Sequence, residues 1–139
     1  MIALNQALFE FWSSFEYEGQ LIPAYLPGHV PENAVFPYFT FDMGQGAFGE
    51  TVVMNAFIWF QKTMEPTDLS TQMRVAEVLG LVEKAIPEGG KWLTFVGGGA
   101  IMRRNGGSFL SYYKPESDND TALPVYGGRV SYTMQFFVK

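Results

Sequence analysis

Hydrophobic residues recur at helical spacing near the start of the chain. The apolar positions are three or four residues apart and fall on one stripe, whereas the residues between them are mostly polar. This pattern predicts an amphipathic helix over residues 2–16. The stripe that it would bury consists of Leu4, Leu8, Phe11, Trp12 and Phe15.

A second helix is predicted from Leu69 to Ile86. Thr67 and Asp68 precede it and can accept hydrogen bonds from the free N–H groups of its first turn. Pro87, followed by Glu88 and two glycines, stops it. The buried stripe predicted for this helix is Leu69, Met73, Ala76, Leu79, Val82 and Ile86.

Two strands are predicted between these helices. Residues 35–43 are dense in aromatic side chains and read as a strand with Pro37 near its start. Residues 51–61 also fit helical spacing, but their β-branched and aromatic content favours a strand. The short glycine-rich link at 44–49 would make the two strands a hairpin. Before them, the prolines of residues 19–34 predict a long ordered arm without helix or interior strand.

The rest of the chain returns to strand patterns, at 92–96, 100–104, 107–113 and 129–138. Asn105-Gly106-Gly107 predicts a hairpin turn, because its residues tolerate positive φ. The last strand alternates most regularly, so we expect it to belong to the core. Its apolar face would be Val130, Tyr132, Met134, Phe136 and Val138.

These elements predict one α+β domain over residues 1–139. Its sheet would be mainly antiparallel or mixed, with about five strands, and would carry both helices on one face. The polar stretch 115–121 would be a surface loop.

Composition narrows the classes of function. The chain has 13 Phe, 7 Tyr and 3 Trp, which is enough for a core and an interface. Its net charge of -5, with nine Lys and Arg spread thinly, argues against direct nucleic-acid binding. We expect no membrane segment and no signal peptide, because no apolar run is long enough and the start lacks a basic region. The absence of cysteine suits a reducing compartment, and we expect the protein in the cytoplasm.

No pattern of residues predicts catalysis, a cofactor or a metal. Residues 44–49 match the dinucleotide fingerprint G-x-G-x-x-G, but a strand and not a helix is expected after them. His29 is the single histidine and lies in a proline-bounded loop. The spacing of Asp118 and Asp120 is that of the start of a calcium-binding loop, but the Gly and Glu that such a loop requires further on are missing. We therefore expect a protein that is not an enzyme and has no catalytic, cofactor-binding or metal-binding residues.

Candidate interface residues lie at loops and strand ends. Aromatic side chains there are credible oligomer contacts, and a basic pair before a turn either keeps it soluble or bridges to an acidic neighbouring copy. The candidates are Phe48, Arg103, Arg104, Tyr112, Tyr113 and Tyr126.

The layout of the chain resembles the tail terminator and minor tail proteins of long-tailed bacteriophages. The resemblance rests on the aromatic segment 35–41, its partner ending in Phe60-Gln61, the helix 69–86 and the closing segment 131–136. It implies a structural virion protein, assembled in the bacterial cytoplasm, that forms a six-membered ring. Such a ring closes the tail tube, contacting the tail tube protein and the head-tail connector. The alternatives are an α+β module that binds a small molecule or peptide, and an enzyme with a cryptic site.

Overall fold

A computed structural model describes residues 2–44, 49–61, 69–113 and 125–138. The helices are α1 (Ile2–Trp12) and α2 (Leu69–Ala85). The strands are β1 (Glu16–Tyr17), β2 (Gln20–Leu21), β3 (Ala24–Tyr25), β4 (Tyr38–Phe41), β5 (Thr51–Gln61), β6 (Lys91–Phe95), β7 (Gly98–Arg104), β8 (Leu110–Tyr113) and β9 (Val125–Val138).

Within the described residues, the main sheet has seven strands in the order β3-β4-β5-β9-β7-β6, with β8 also paired to β9. Its strand pairs are antiparallel except β3 with β4, which are parallel. A separate small sheet joins β1 to β2. The predicted α+β class with a mainly antiparallel sheet is confirmed.

Strand β9 is the central element of the sheet. Along one side it pairs with all of β5, from Thr51 opposite Gln135 to Gln61 opposite Val125. The apolar face predicted for it is buried at Val130, Tyr132, Met134 and Phe136. The end of the described chain is therefore part of the core, as the alternation predicted, although the strand starts four residues earlier than expected.

The hairpin predicted at Asn105-Gly106-Gly107 is wrong. Strands β7 and β8 do not pair with each other but lie end to end along the same side of β9. Residues 105–109, which include a 3-10 turn, all stand opposite Ser131. The Ser131 carbonyl accepts from the Asn105 N–H at 3.2 Å, and the Ser131 N–H donates to the Phe109 carbonyl at 2.8 Å. The glycines thus form a large bulge and do not reverse the chain.

Two other turns join antiparallel neighbours of the main sheet. Strands β4 and β5 form the predicted hairpin, with Tyr38 opposite Trp59, but β4 begins at Tyr38 and not at residue 35. Strands β6 and β7 are joined by Val96 and Gly97, and Gly97 has a φ of 89°. Gly98 and Gly99, which follow the turn, already belong to β7.

The proline-rich arm contains strands that the sequence did not predict. Strand β2 and strand β3 lie within residues 19–34, and β3 forms the edge of the main sheet. Prolines are tolerated there because an edge strand has unpaired positions. The carbonyl of Pro23 accepts a hydrogen bond from the Phe39 N–H at 2.8 Å. Helix α1 ends at Trp12, earlier than the predicted residue 16, because Glu16 and Tyr17 enter β1.

Both helices pack on the same face of the sheet. The ring of Trp12 on α1 lies 5.2 Å from that of Phe39 and 5.8 Å from that of Tyr132. On α2, Leu79 lies against Gly128, where a Cβ would be 2.8 Å from the leucine Cδ1. Since Tyr132 and Gly128 are an even number of residues apart on β9, they point to one face.

The buried stripe of α2 differs from the prediction. Val75 and Val78 are buried, whereas Met73 is 58% exposed and Ala76 is exposed. The predicted positions Leu79, Val82 and Ile86 are buried. The two stripes coincide at the C-terminal end of the helix and diverge toward its start. The predicted cap residues at 67 and 68 lie outside the described part.

Candidate interaction surface

The face of the sheet opposite the helices carries a group of aromatic side chains. Alternation along β5 places Phe57 and Trp59 on it, because their neighbours Ala56, Ile58 and Phe60 are buried against the helix side. Strand pairing brings further aromatic residues from β3, β4 and β8 to the same face. We call this surface the aromatic face. It is formed by Tyr25, Tyr38, Phe57, Trp59 and Tyr113.

Trp59 is fixed at the centre of the aromatic face. Its indole N–H donates a hydrogen bond to the hydroxyl of Thr40 at 3.0 Å. Gly127 stands opposite Trp59 on β9, and a Cβ there would be 3.0 Å from Trp59 Cε3. The indole can lie over β9 because that residue has no side chain.

Three rings of the aromatic face contact one another. The rings of Phe57 and Trp59 are stacked, with centroids 5.5 Å apart. The ring of Tyr113 approaches both edge-on, at 5.3 Å from Phe57 and 5.6 Å from Trp59. Such pairs hold each ring in one orientation, which reduces the entropy that a partner must remove on binding.

The aromatic face continues onto β3 and β4. The ring of Tyr38 lies 5.7 Å from that of Tyr25 and 5.0 Å from that of Phe36. Burial raises the pKa of Tyr38, and the neighbouring Tyr25 raises it further. The Tyr38 hydroxyl therefore remains neutral in the ordinary pH range.

Arg129 lies on β9 within this surface. It is paired with Phe57 on one side and with Ser111 on the other, so it shares their face. The side chain is half-buried, and its Nε is shielded from water without a hydrogen-bond partner among the described residues. A partly desolvated guanidinium donor is costly when it has no hydrogen-bond partner.

A second apolar surface lies on the helix side of the molecule. It is a shallow groove of about 590 Å³ between the solvent side of α1 and the residues that follow β4. We call it the α1 groove. Ile2 is 79% exposed there, Phe9 51% and Met43 52%. Asn5 and Glu10 also line it, and the Asn5 side chain holds the groove together by accepting a hydrogen bond from the Gly44 N–H at 2.7 Å.

The six residues predicted as an interface fall in different places. Phe48 lies outside the described residues. Arg103 is exposed on β7, and Tyr112 and Tyr113 on β8 are 42% and 39% exposed. Tyr113 belongs to the aromatic face, whereas Tyr112 points to the helix side and stacks on Tyr126 at 6.1 Å. Of the other described candidates, Arg103 lies on the same side of the sheet as the aromatic face, because it stands opposite Thr133 on β9.

Arg104 and Tyr126 are used inside the chain. The Arg104 Nε donates to the carbonyl of Ile86 at 2.8 Å, and its Nη2 donates to the carbonyl of Glu83 at 2.9 Å. Its guanidinium also lies 5.0 Å from the ring of Phe109. Arg104 therefore caps the C-terminus of α2. Tyr126 belongs to the core, since it is only 2% exposed.

Sequence reasoning missed Phe57, Trp59 and Arg129 as surface residues. A signal was present, because β5 carries large apolar side chains on both faces, whereas the described helices cover one of them. Val53, Phe57 and Trp59 alternate with Met54, Ala56 and Ile58. Such a strand is typical of a sheet that packs against something on each side.

Among the residues weighed for chemistry, Asp118 and Asp120 lie outside the described residues. His29 is exposed in a turn, where its N–H donates to the Leu26 carbonyl at 3.0 Å. A strand, β5, follows the glycine fingerprint, of which residues 45–48 lie outside the described part. In the described ranges no three His, Asp or Glu side chains are grouped as a metal site would require. Of the helices described, none is long and apolar enough to span a membrane.

A scan against protein-family models and searches of curated proteins and of solved structures returned no match to this chain.

Proposed function

We propose that this protein is a structural assembly subunit that uses its aromatic face to bind neighbouring subunits. It acts in the tail of a bacteriophage or prophage, where a ring of subunits closes the tail tube and joins it to the head connector. The observation that carries the proposal is the set of fixed, partly exposed rings at Phe57, Trp59 and Tyr113 on the face of the sheet opposite the described helices.

The chemistry of this face suits a protein contact. Aromatic and arginine side chains dominate the energies of protein interfaces, and here they lie together around Arg129. They project from β5, β8 and β9, which are paired strands and therefore present the side chains rigidly. A rigid surface of this kind binds without a large cost of ordering.

The arrangement of elements supports assignment to the tail terminator class. The resemblance implies a mixed sheet that packs on two helices, and both helices of this chain lie on one face of such a sheet. The opposite face is then left for a neighbouring subunit. Burying apolar area at this face stabilises association by about 25 cal/mol per Å² before the costs of association.

Complementation of a phage or prophage that lacks this gene tests the proposal. We expect unfinished tails without the gene, and their rescue by the wild type. Tyr113→Ser should fail to rescue, while Tyr112→Ser should rescue. These two neighbours are exposed to a similar extent, but Tyr112 points to the other face. Circular dichroism and thermal melting establish that both variants fold.

Ionisable residues provide a second comparison. His29→Ala and Glu32→Ala remove exposed titratable groups and should leave tail formation normal. An enzyme depends on a few such groups, whereas an assembly protein distributes its affinity over apolar anchors. The proposal is wrong if tails form normally without this gene, or if Tyr113→Ser rescues as well as Tyr112→Ser. Loss of function on substituting His29 alone, in a folded variant, would favour an enzyme.

A further inference from the structure

We infer that neighbouring copies of this chain associate front to back, so that the aromatic face of one copy receives the α1 groove of the next. An ion pair between Arg129 of one copy and Glu10 of the other lies at the centre of this contact. The inference rests on the proposed function, because it names the partner surface of the aromatic face.

Arg129, whose Nε has no hydrogen-bond partner among the described residues, argues against a symmetric, face-to-face contact centred on this side chain. In such a contact a two-fold axis places the same patch on both subunits. With the axis close to Arg129, its two copies would approach each other inside an apolar interface. Like charges in a desolvated contact cost several kcal/mol. The partner surface must instead present a negatively charged group.

The α1 groove has the features that the aromatic face requires. Its side chains Ile2, Phe9 and Met43 are exposed and apolar, and Glu10 lines the same groove. Glu10 is exposed, and no described residue forms a hydrogen bond or an ion pair with it. The two surfaces thus match in apolar character and are opposite in charge.

The position of the two surfaces determines the kind of assembly. The aromatic face lies on one side of the sheet, and α1 packs on the other side through Trp12. A contact between two different patches of the same chain repeats from copy to copy. It produces a closed ring when the rotation between copies closes, and it leaves no unused patch in that ring.

Charge reversal tests this contact by sedimentation velocity over a range of protein concentrations. Arg129→Glu and Glu10→Arg each place like charges together, so each should weaken self-association by about 30-fold or more. The double variant Arg129→Glu/Glu10→Arg restores opposite charges and should associate like the wild type. Lys84→Glu and Glu88→Arg reverse exposed charges elsewhere and serve as matched controls. Arg129→Gln, a milder change, is measured beside them in case Arg129→Glu does not fold.

The double variant separates front-to-back from face-to-face association. A symmetric contact through the aromatic face would leave Glu10→Arg unaffected and would place two glutamates together in the double variant. The inference is overturned if Glu10→Arg associates like the wild type, or if the double variant fails to recover while folded. A wild type that remains monomeric at every concentration contradicts both this inference and self-association itself. Association of the wild type that is insensitive to both reversals contradicts the inference alone.

Discussion

The indole of Trp59 lies over Gly127, the residue that faces it on the neighbouring strand. A Cβ at Gly127 would be 2.6 Å from the carbonyl oxygen of Ile58 and 3.0 Å from Trp59 Cε3. The oxygen belongs to the backbone and cannot move without disturbing the pairing of β5 with β9. The glycine therefore allows the aromatic face to form.

Gly127→Ala should destabilise the protein by about 1–3 kcal/mol, because the added methyl group overpacks a site bounded by backbone. Urea unfolding measures the change. Gly107→Ala is the matched control, since a Cβ there has no atom within 4 Å. An equal effect of the two substitutions would contradict the packing described for Gly127.

Val78→Ala and Met73→Ala test which side of α2 faces the sheet. Val78 is fully buried and its truncation should cost about 2 kcal/mol, from lost burial and the cavity left behind. Met73 is 58% exposed, so its truncation should change the free energy of unfolding by less than about 0.5 kcal/mol. The opposite order would restore the stripe that the sequence predicted.

Arg104 and Arg103 are adjacent but have different roles. Arg104→Met removes two charge-assisted hydrogen bonds to carbonyls at the end of α2 and should cost about 1–2 kcal/mol. Arg103→Met should cost less than about 0.5 kcal/mol, because that side chain is exposed. Thermal unfolding of both variants gives the comparison, and similar losses would disprove the capping role of Arg104.

Tyr132 should make stability depend on alkaline pH. Burial raises the pKa of Tyr132, the Asp42 carboxylate raises it further, and the Trp12 indole partly opposes the shift. The folded state keeps the Tyr132 phenol neutral. The contribution of this residue to the free energy of unfolding is therefore fully present below the unfolded pKa of about 10 and is lost as pH rises above it.

The measurement for Tyr132 is urea unfolding of the wild type and of Tyr132→Phe at pH 8 and pH 11. At pH 11 ionisation of Tyr132 in the unfolded state lowers the free energy of unfolding of the wild type by about 1.4 kcal/mol. The Phe variant lacks this loss. Tyr17 and Tyr38 also have raised pKa values, so some loss remains in the variant. Equal losses in the two proteins would show that Tyr132 ionises as readily folded as unfolded.

The parts of the fold that depend on local periodicity could be predicted from the sequence. The bounds of β5 at 51–61 and the buried face of β9 follow from residue type and alternation. The predictions that were wrong concern segments whose structure depends on residues distant in the sequence. The chain around Asn105 looks like a hairpin by itself, but hydrogen bonds to Ser131 extend it along β9.

The candidate surface was less predictable than the fold. Tyr113 was predicted at an interface, but Tyr112 beside it points to the other face, and a strand end alone does not decide between them. The sequence indicated a surface charge at Arg104. In the structure its guanidinium donates hydrogen bonds to the carbonyls of Glu83 and Ile86 at the end of α2. Arg129 became a candidate only when strand pairing put it beside Phe57.

The most direct test of the aromatic face is its protection during assembly. The chain has no cysteine, so one thiol can be introduced at a chosen position. Ser111→Cys lies beside Arg129 on the aromatic face, and Ser108→Cys is an exposed control in the 3-10 turn. We expect thiol labelling of Ser111→Cys to slow several-fold as protein concentration rises, while labelling of Ser108→Cys does not change. Labelling of Ser111→Cys that stays constant while the protein assembles would contradict the claim that this face is the subunit interface.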